Sequence, residues 1–313
     1  MRQLVVISGK GGTGKTSVVA SLAYLAALEA PVTTADCDVE AANLALLLPG
    51  QDIRTEPFCS GRRARIDPDT CSSCGVCAEQ CRAGAIRIED CTVVDPLACE
   101  GCGVCALVCP EEAVSFADNQ AGVWMERRTA FGPMIHAALG IAQDNSGKLV
   151  AQVREEARTV AEREETELIL VDGPPGIGCP VHASLTGCDL ALLVTEPTPS
   201  GEHDLERVLD LLGHFRLPGA VLINKYDLSP EFTARIETLA RRTDVQVVGK
   251  LPFSPEVPRA LARGELPLTV ETVAVPLVET WENILGLLSP SECEAREAPR
   301  LESESVQLST EPR

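Results

Sequence analysis

Short apolar runs alternate with amphipathic stretches over most of the 313-residue chain. Each run has the length of a buried strand, and apolar residues recur at helical spacing in the stretches between the runs. This alternation predicts an α/β fold, a doubly wound and mostly parallel sheet with helices on both faces. The predicted strands cover residues 4–7, 32–35, 168–171, 190–195, 220–224 and 245–251, and the predicted helices cover 16–28, 146–162, 202–215, 231–242 and 275–288.

The alternation is interrupted after residue 56 by a segment dense in Cys, Gly and turn residues. A segment with so little apolar sequence lacks a core of its own, so bound metal clusters would have to hold it together. We therefore divide the chain into the first part of an α/β domain (1–56), an insert (57–120), the second part of the domain (121–288) and an acidic tail (289–313). The tail is rich in Glu, Ser and Pro and is predicted to be disordered.

The first strand leads into a glycine-rich loop with the spacing of a phosphate-binding loop, placed as required between a strand and a helix. Glycines in such a loop let backbone N–H groups crowd around phosphate oxygens. Lys15 would bridge the β- and γ-phosphates, and Thr16 Oγ1 would bind Mg²⁺. The predicted nucleotide-binding residues of this loop are Gly9, Lys10, Gly11, Gly12, Thr13, Gly14, Lys15 and Thr16.

The early lysine of the loop narrows the class of nucleotide-binding protein. The run from Lys10 to Thr16 resembles the deviant Walker A motif of MinD, ParA, Mrp and the nitrogenase iron protein. In those families the early lysine reaches across a dimer to the nucleotide of the partner. The resemblance implies that Lys10 acts in trans on the transferring phosphoryl group, as an arginine finger does, and that Lys15 acts in its own subunit.

Two further segments occur in the order that this resemblance requires. Residues 36–44 resemble a switch I segment, which implies that Asp38 orients the attacking water and that Asp36 lies near the metal. Residues 171–178 resemble a Walker B strand and switch II. There the resemblance implies that Asp172 holds Mg²⁺ through water and that Gly173 or Gly176 contacts the γ-phosphate.

The nucleobase is left open between two alternatives. Asn224-Lys225-Tyr226-Asp227 follows a predicted strand, and in GTPases such a segment binds guanine through its aspartate. In the deviant Walker A families an asparagine at this strand end faces adenine, and a later proline-containing loop, here at Pro252, completes the pocket. The lysine signature favours ATP, with Asn224, Asp227 and Pro252 as base-contacting residues.

Two matched cysteine runs carry the second chemistry of the chain. Their C-x₂-C-x₂-C-x₃-C spacing is that of a two-cluster bacterial ferredoxin, in which the fourth cysteine of each run binds the other cluster. Zinc is the competing interpretation of paired C-x₂-C motifs. Cys81 departs from the ferredoxin pattern because Arg82, and not proline, follows it. The predicted ligand sets of two [4Fe–4S] clusters are Cys71, Cys74, Cys77 and Cys109, and Cys99, Cys102, Cys105 and Cys81.

One of the remaining cysteines has two interpretations. Cys179 follows Asp172 by seven residues, the spacing of a cluster ligand in the nitrogenase iron protein. The resemblance makes Cys179 a hypothetical ligand of an extra cluster between subunits. A structural thiol is the alternative.

Charge and composition limit the partners. The formal net charge of −19 argues against binding to a phosphate backbone, so we expect no nucleic-acid partner. No apolar stretch is long enough to span a bilayer, and we expect no membrane partner. Eight of the 14 cysteines fall in the two runs, which differs from a secreted disulfide framework. We expect a reducing cytoplasm in an anaerobe.

Taken with the insert, these motifs resemble a MinD-superfamily P-loop ATPase that contains an inserted ferredoxin domain. The resemblance implies an ATPase that forms a homodimer, or a heterodimer with a paralogous ATPase, and that uses ATP and Mg²⁺. It leaves three functional hypotheses, in this order of preference. They are electron transfer through the clusters gated by ATP, assembly or delivery of iron–sulfur or other metal cofactors as in the Mrp group, and spatial positioning of the MinD or ParA kind. The first two require an unidentified redox or metallocofactor partner protein.

Overall fold

The computed structural model of the protein describes residues 1–141, 143 and 145–289. Its strands and helices alternate in the order predicted for the α/β part. The strands are β1 Arg2–Ser8, β2 Thr33–Asp36, β3 Gly50–Ile66, β4 Ile86–Ile88, β5 Thr92–Val94, β6 Val114–Thr129, β7 Gly132–Leu139, β8 Leu168–Pro175, β9 Leu190–Thr195, β10 Gly219–Asn224 and β11 Gln246–Leu251. The helices are α1 Lys15–Ala27, α2 Leu44–Leu47, α3 Val76–Glu79, α4 Val104–Leu107, α5 Ser146–Arg163, α6 Cys179–Leu185, α7 Pro199–Phe215, α8 Pro230–Arg242, α9 Glu256–Ala262 and α10 Glu271–Leu288.

Within the described residues, one large sheet contains nine strands in the order β11-β10-β9-β1-β8-β2-β7-β6-β3. The strands from β11 to β7 are parallel to one another. β6 and β3 follow at one edge and are antiparallel. The predicted class, an α/β fold with a mostly parallel sheet, is confirmed.

Two apolar layers cover the two faces of this sheet. On one face, Leu149, Leu205 and Ile236 belong to a buried cluster together with the inward residues of the central strands. On the other face, Leu22 and Ile284 belong to the second cluster. Because both faces are covered, strands such as β1, β9 and β10 are apolar along most of their length, which is the pattern that made them recognisable in the sequence.

The edge strands β3 and β6 form a long ribbon that the sequence did not predict. They pair from Gly50–Thr129 at the sheet end to Ile66–Val114 at the far end. Most of β3 is exposed, so it has no apolar run to indicate a strand. The insert boundaries predicted at residues 57 and 120 therefore fall inside the two strands. The cysteine-rich segment itself is residues 67–113, at the tip of a ribbon that continues the main sheet.

The cysteine-rich segment consists of two interlocked halves. Asp67, at the start of the first half, donates its backbone N–H to Ala113 at the end of the second, with an N···O distance of 2.9 Å. Asp95, at the start of the second half, donates to Ala85 at the end of the first, at 2.7 Å. In both halves the third cysteine of the run lies in a short helix, α3 or α4, after a glycine with positive φ. The internal repeat of the sequence is thus an internal repeat of the structure.

In the part of the chain that the structure describes, no helix has both the length and the apolar character needed to cross a bilayer. The predicted tail lies outside the described residues from residue 290 onwards.

Candidate nucleotide-binding site

The phosphate-binding loop joins β1 to α1, with glycines where the backbone requires them. Gly12 and Gly14 have φ values of 79° and 92°, which side chains disfavour. A Cβ atom on Gly14 would also lie 2.5 Å from Asn224 Nδ2. The loop therefore passes tightly beneath the end of β10 and presents its backbone at the start of α1.

A cleft of about 820 Å³ opens beside this loop. Its polar part lies at the loop and switch I, and its apolar part lies between α2, α9 and α10. The predicted site residues that line it are Gly11, Gly12, Thr13, Gly14, Lys15, Thr16, Asp38, Asn224 and Pro252. The predicted residues Gly9, Lys10, Asp36, Asp172, Gly176 and Asp227 are not among the lining residues.

A charged cluster lies at the cleft. It consists of Lys15 and Asp38, which line the cleft, and the buried Asp172. Lys15 Nζ lies 3.3 Å from Asp172 Oδ1 and 3.9 Å from Asp38 Oδ2. Burial raises the pKa of Asp172, and the charge of Lys15 opposes this shift only in part. Asp172 Oδ2 and, in the phosphate loop, Thr13 Oγ1 are both buried and have no hydrogen-bond partner among the described residues. Orphaned oxygens of this kind are free to accept hydrogen bonds from a ligand or from the water of a bound cation.

Asp36 has contacts of another kind. Its two carboxylate oxygens accept the backbone N–H groups of Asp38 and Leu44, each at 3.1 Å. Burial and the neighbouring Asp172 raise its pKa well above the ordinary value. These contacts fix the course of the switch I loop. The metal-binding role predicted for Asp36 gains no support from them, because both oxygens are already engaged within the loop.

Lys10 points away from the cleft of its own subunit. Its ammonium lies 2.6 Å from Glu196 Oε1. Lys10 is not one of the residues that line the cleft. Glu196 follows the end of β9, and sequence reasoning assigned it no role. An acidic residue directly after a buried strand, next to Pro197, was the signal that could have indicated it.

Asn224 and Asp227, both predicted to contact the nucleobase, make different contacts in the structure. Asn224 Nδ2 donates to the carbonyl oxygen of Thr13 at 2.8 Å, which ties the end of β10 to the phosphate loop. Asp227 is exposed, and its Oδ1 accepts the backbone N–H of Phe253 at 2.7 Å. Asp227 therefore anchors the Pro252–Phe253 loop instead of lining the cleft. The predicted contact of Asp227 with a base stays a prediction, and so does the choice between adenine and guanine.

Gly9, at the start of the phosphate loop, and Gly176, after Walker B, have contacts of a structural kind. A Cβ on Gly9 would come within 2.3 Å of Asp204 Cβ, so close packing against α7 explains this glycine. Gly176 donates its N–H to Ser8 O at 2.9 Å and has a φ of 91°. Both residues shape the surroundings of the loop, and their predicted contact with nucleotide stays a prediction.

The predicted cluster ligands differ in how far the structure brings them together. Cys71, Cys74, Cys77 and Cys109, from both runs, line one small pocket. Cys105 has Cys99 and Cys102 as near thiol neighbours. Among the described residues, no group of three or more His, Cys, Asp or Glu is arranged to hold a single metal ion. Thiolates around a cube of four irons each bind a different iron and so stand farther apart than the ligands of one ion.

Backbone donors surround several of these thiols. Ala85 N donates to Cys81 Sγ and Ala113 N donates to Cys109 Sγ, both at 3.3 Å. The N–H of Ser73 lowers the pKa of Cys71, whereas burial raises the pKa of Cys77. The two matched bonds at the fourth cysteine of each run continue the internal repeat.

Cys179 is exposed at the start of α6 and faces Gly147 on α5. A Cβ atom added to Gly147 would lie 3.4 Å from Cys179 Cβ. Its predicted part in an additional cluster stays a prediction.

A glycine-rich loop between a buried strand and a helix, beside a buried lysine–aspartate pair, defines a P-loop nucleotide-binding protein. The chain belongs to the CobQ/CobB/MinD/ParA nucleotide-binding domain family, whose sequence profile matches residues 4–268.

Relatives and solved structures agree with this assignment. An uncharacterized protein of Methanocaldococcus jannaschii, MJ0578, is 32% identical over 260 residues, which is 83% of this chain and 87% of the relative. The cell division ATPase MinD of Pyrococcus furiosus has the same fold, with a TM-score of 0.54, 21% identity and coverage of 91% of this chain and 99% of the other. MinD of Pyrococcus horikoshii, solved with Mg-ADP, gives a TM-score of 0.55, 20% identity and coverage of 90% and 95%.

These comparisons change the order of the functional hypotheses. They support a MinD- or ParA-like protein, which the sequence analysis placed last, better than the electron carrier that it placed first. The nucleotide-binding family is shown, and the ferredoxin character of the insert stays a prediction.

Proposed function

We propose that the protein is an ATPase of the MinD/ParA type, which binds ATP with Mg²⁺ and hydrolyses it in a closed dimer. One observation carries the proposal. Asp172 Oδ2 and Thr13 Oγ1 are buried without partners next to Lys15, at the point where the phosphate loop begins α1. Burying two such oxygens costs free energy that a bound ligand recovers.

Each residue of the cluster has a role in this proposal. In the free subunit Lys15 is neutralised by Asp172 at 3.3 Å, and bound phosphates compete with that carboxylate for the ammonium. Mg²⁺ would be held by Thr16 Oγ1 and, through water, by Asp172, and it would neutralise charge on the phosphates. Asp38, which lines the cleft, would orient the attacking water. The Mg-ADP bound by the Pyrococcus horikoshii protein supports this assignment.

The test is a complementation of two inactive chains. Lys10→Ala and Asp38→Ala should each lower turnover at least about 100-fold, as loss of a charge-stabilising group does. In an equal mixture, about half of the dimers contain one chain of each variant. In such a dimer, one of the two sites has an intact Asp38 and receives Lys10 from the partner. Turnover should then recover to roughly a quarter of the wild-type rate, because about half of the dimers carry one of two working sites. A mixture as inactive as its components would contradict a shared site.

A second function, binding of two [4Fe–4S] clusters, is favoured by the cysteine-rich segment. Four cysteines from two distant runs line one pocket, and they are the set that the ferredoxin crossover predicts. The pocket also fits such a group chemically, because soft thiolates with backbone N–H donors are the ligands that these clusters take. Bound clusters would supply one-electron transfer.

The contacts between the nucleotide site and the ribbon support coupling of the two functions. Leu139 N, at the end of β7, donates to Val39 O in switch I at 3.1 Å. The next residue, Gly140, donates to Ala121 O in β6 at 2.8 Å. Ala121 lies where the pairing of β3 and β6 is irregular, between Phe58 and Arg62. Movement of switch I on ATP binding would therefore act on the part of the ribbon that carries the cysteine segment.

Anaerobic quantitation of iron and sulfide, with redox-monitored EPR, tests this second function. About eight irons per chain are expected for two clusters. Cys74→Ser should remove about half of the iron, and Cys59→Ser, an exposed cysteine outside the runs, should remove none. Cluster potentials that shift between ADP·Mg and a slowly hydrolysed ATP analogue would support electron transfer gated by ATP. Eight irons without such a shift would leave cluster binding and contradict the gating.

A further inference from the structure

The ammonium group of Lys10 has a complete set of partners in the free subunit. It lies 2.6 Å from Glu196 Oε1, 3.0 Å from Ser200 Oγ and 3.3 Å from Thr198 Oγ1. A lysine ammonium has three N–H donors, so these three acceptors satisfy it. While it keeps these contacts, Lys10 has no N–H group left to donate to a phosphate.

The acceptors lie on the turn between β9 and α7 and on the first turn of α7. Thr198 caps α7, and its Oγ1 accepts the N–H of Gly201 at 3.0 Å. A Cβ on Gly201 would lie 2.2 Å from Glu196 O, so the turn closes tightly. A rigid arrangement of acceptors holds the lysine in one place at little cost in conformational entropy.

Glu196 also connects Lys10 to the nucleotide cleft. Its second oxygen, Oε2, lies 3.1 Å from Lys225 Nζ. Lys225 lines the base end of the cleft and follows Asn224, which is tied to the phosphate loop. Burial disfavours the charged form of Glu196, but the hydrogen bonds from Lys10 and Lys225 outweigh this effect and lower its pKa. One ionised carboxylate therefore bridges Lys10, in the phosphate loop, and Lys225, which follows β10.

We propose that Glu196 is a positioning residue that holds Lys10 in the free subunit and must release it before Lys10 reaches the phosphates of a second subunit. The inference rests on the proposed function, because it assumes that Lys10 acts in a dimer. The contact opposes association in the same way at both lysines of a symmetric dimer. ATP-dependent pairing must therefore overcome it twice.

The size of the effect follows from the exposure of the ion pair. The Lys10 and Glu196 side chains are 29% and 16% exposed, so the pair is partly screened. Pairs of this kind change an equilibrium by roughly twofold to fivefold. Because two such contacts break per dimer, their loss should lower the dimer dissociation constant by about 4- to 25-fold.

The experiment measures ATPase rate against protein concentration at saturating ATP and Mg²⁺. Glu196→Gln keeps the shape of the side chain and removes its charge. The protein concentration at half-maximal rate should fall by about 4- to 25-fold, and kcat should stay within about twofold. Ser200→Ala, which removes a weaker contact to Lys10, should shift it in the same direction and less.

A matched control is available on α7, which follows Glu196 in the chain. Glu202 forms a similar ion pair with Arg235 at 2.8 Å, without contact to Lys10. Glu202→Gln should leave the half-maximal concentration unchanged. A fall in kcat alone, or an unchanged or raised half-maximal concentration in Glu196→Gln, would overturn the holding role.

Failure of the proposed function gives a different result. Wild-type turnover that does not depend on protein concentration and that survives Lys10→Ala would overturn both proposals. Concentration-dependent wild-type turnover that Glu196→Gln leaves unchanged would overturn only the role of Glu196.

Discussion

Asp172 is subject to opposite requirements in the free and the ligand-bound protein. The proposed catalysis requires a charged carboxylate beside the phosphates, whereas burial without a partner for Oδ2 disfavours that charge. Lys15 compensates only in part, because the pKa of Asp172 stays above its ordinary value of 3.8. A bound cation would provide the partner that Asp172 Oδ2 lacks. Without it, the buried oxygen lowers the stability of the folded protein.

This conflict predicts the pH dependence of stability without nucleotide. Because the folded-state pKa of Asp172 is raised, its contribution to stability is fully present below pH 3.8 and is lost as the pH rises through the folded value. Asp172→Asn removes this titration and also removes the charge that helps to raise the pKa of Asp36, which changes the difference between the two proteins in the same direction. The free energy of unfolding of wild type relative to the variant should therefore fall with rising pH, by about 1.4 kcal/mol for each unit of pKa shift. Urea unfolding of both proteins in EDTA measures it, and a difference independent of pH would contradict the assignment.

Individual elements are held to one another by contacts that no local pattern of the sequence indicates. Arg127 on β6 donates to both oxygens of Asp52 on β3, at 2.7 and 3.1 Å, and to Ala45 O in α2 at 3.0 Å. Hydrogen bonding to Arg127, with a smaller part from His136, lowers the pKa of Asp52 to about 2. This clamp joins the base of the ribbon to the helix that follows switch I.

Removal of the clamp should destabilise the protein. Arg127→Ala should lower the free energy of unfolding by about 1–2 kcal/mol, since it breaks a bidentate pair and a bond to a backbone carbonyl. The adjacent Arg128 is the matched control. It is 66% exposed and lies 3.7 Å from Glu164, so Arg128→Ala should change the stability by less than about 0.5 kcal/mol. Urea unfolding measures both variants. Equal losses of unfolding free energy would show that the contacts of Arg127 do not stabilise the protein more than the exposed ion pair of Arg128 does.

The elements also show what the sequence could and could not predict. The central strands were predicted because they are buried on both faces, and the phosphate loop because its residues are contiguous. The strands β3 and β6 were missed because β3 is mostly exposed and both strands are interrupted by polar residues such as Arg63 and Asn119. The bridge from Lys10 to Glu196 joins residues 186 positions apart in the chain, and only the placement of β9 beside β1 brings them together.

At the scale of the whole molecule, the nucleotide cleft and the cysteine-rich segment are separate modules of one sheet. Every described residue that lines the cleft lies outside 67–113. Their connection is the ribbon, which meets switch I through the contacts of β7. Such an arrangement lets the segment respond to nucleotide without contributing to the nucleotide site.

Excision of the segment tests this modular organisation. Ile66 and Val114 are paired at the end of the ribbon, so a two-residue Asn-Gly turn can replace residues 67–113 and close a regular hairpin. The shortened chain should bind Mg·ATP with an affinity within about threefold of wild type, because the cleft is intact. It should hold no iron. Calorimetric titration with a slowly hydrolysed ATP analogue gives the affinity, and the circular dichroism spectrum verifies folding. A folded variant with affinity reduced tenfold or more would mean that the segment takes part in the nucleotide site itself, and the ribbon would then be a structural part of the switch.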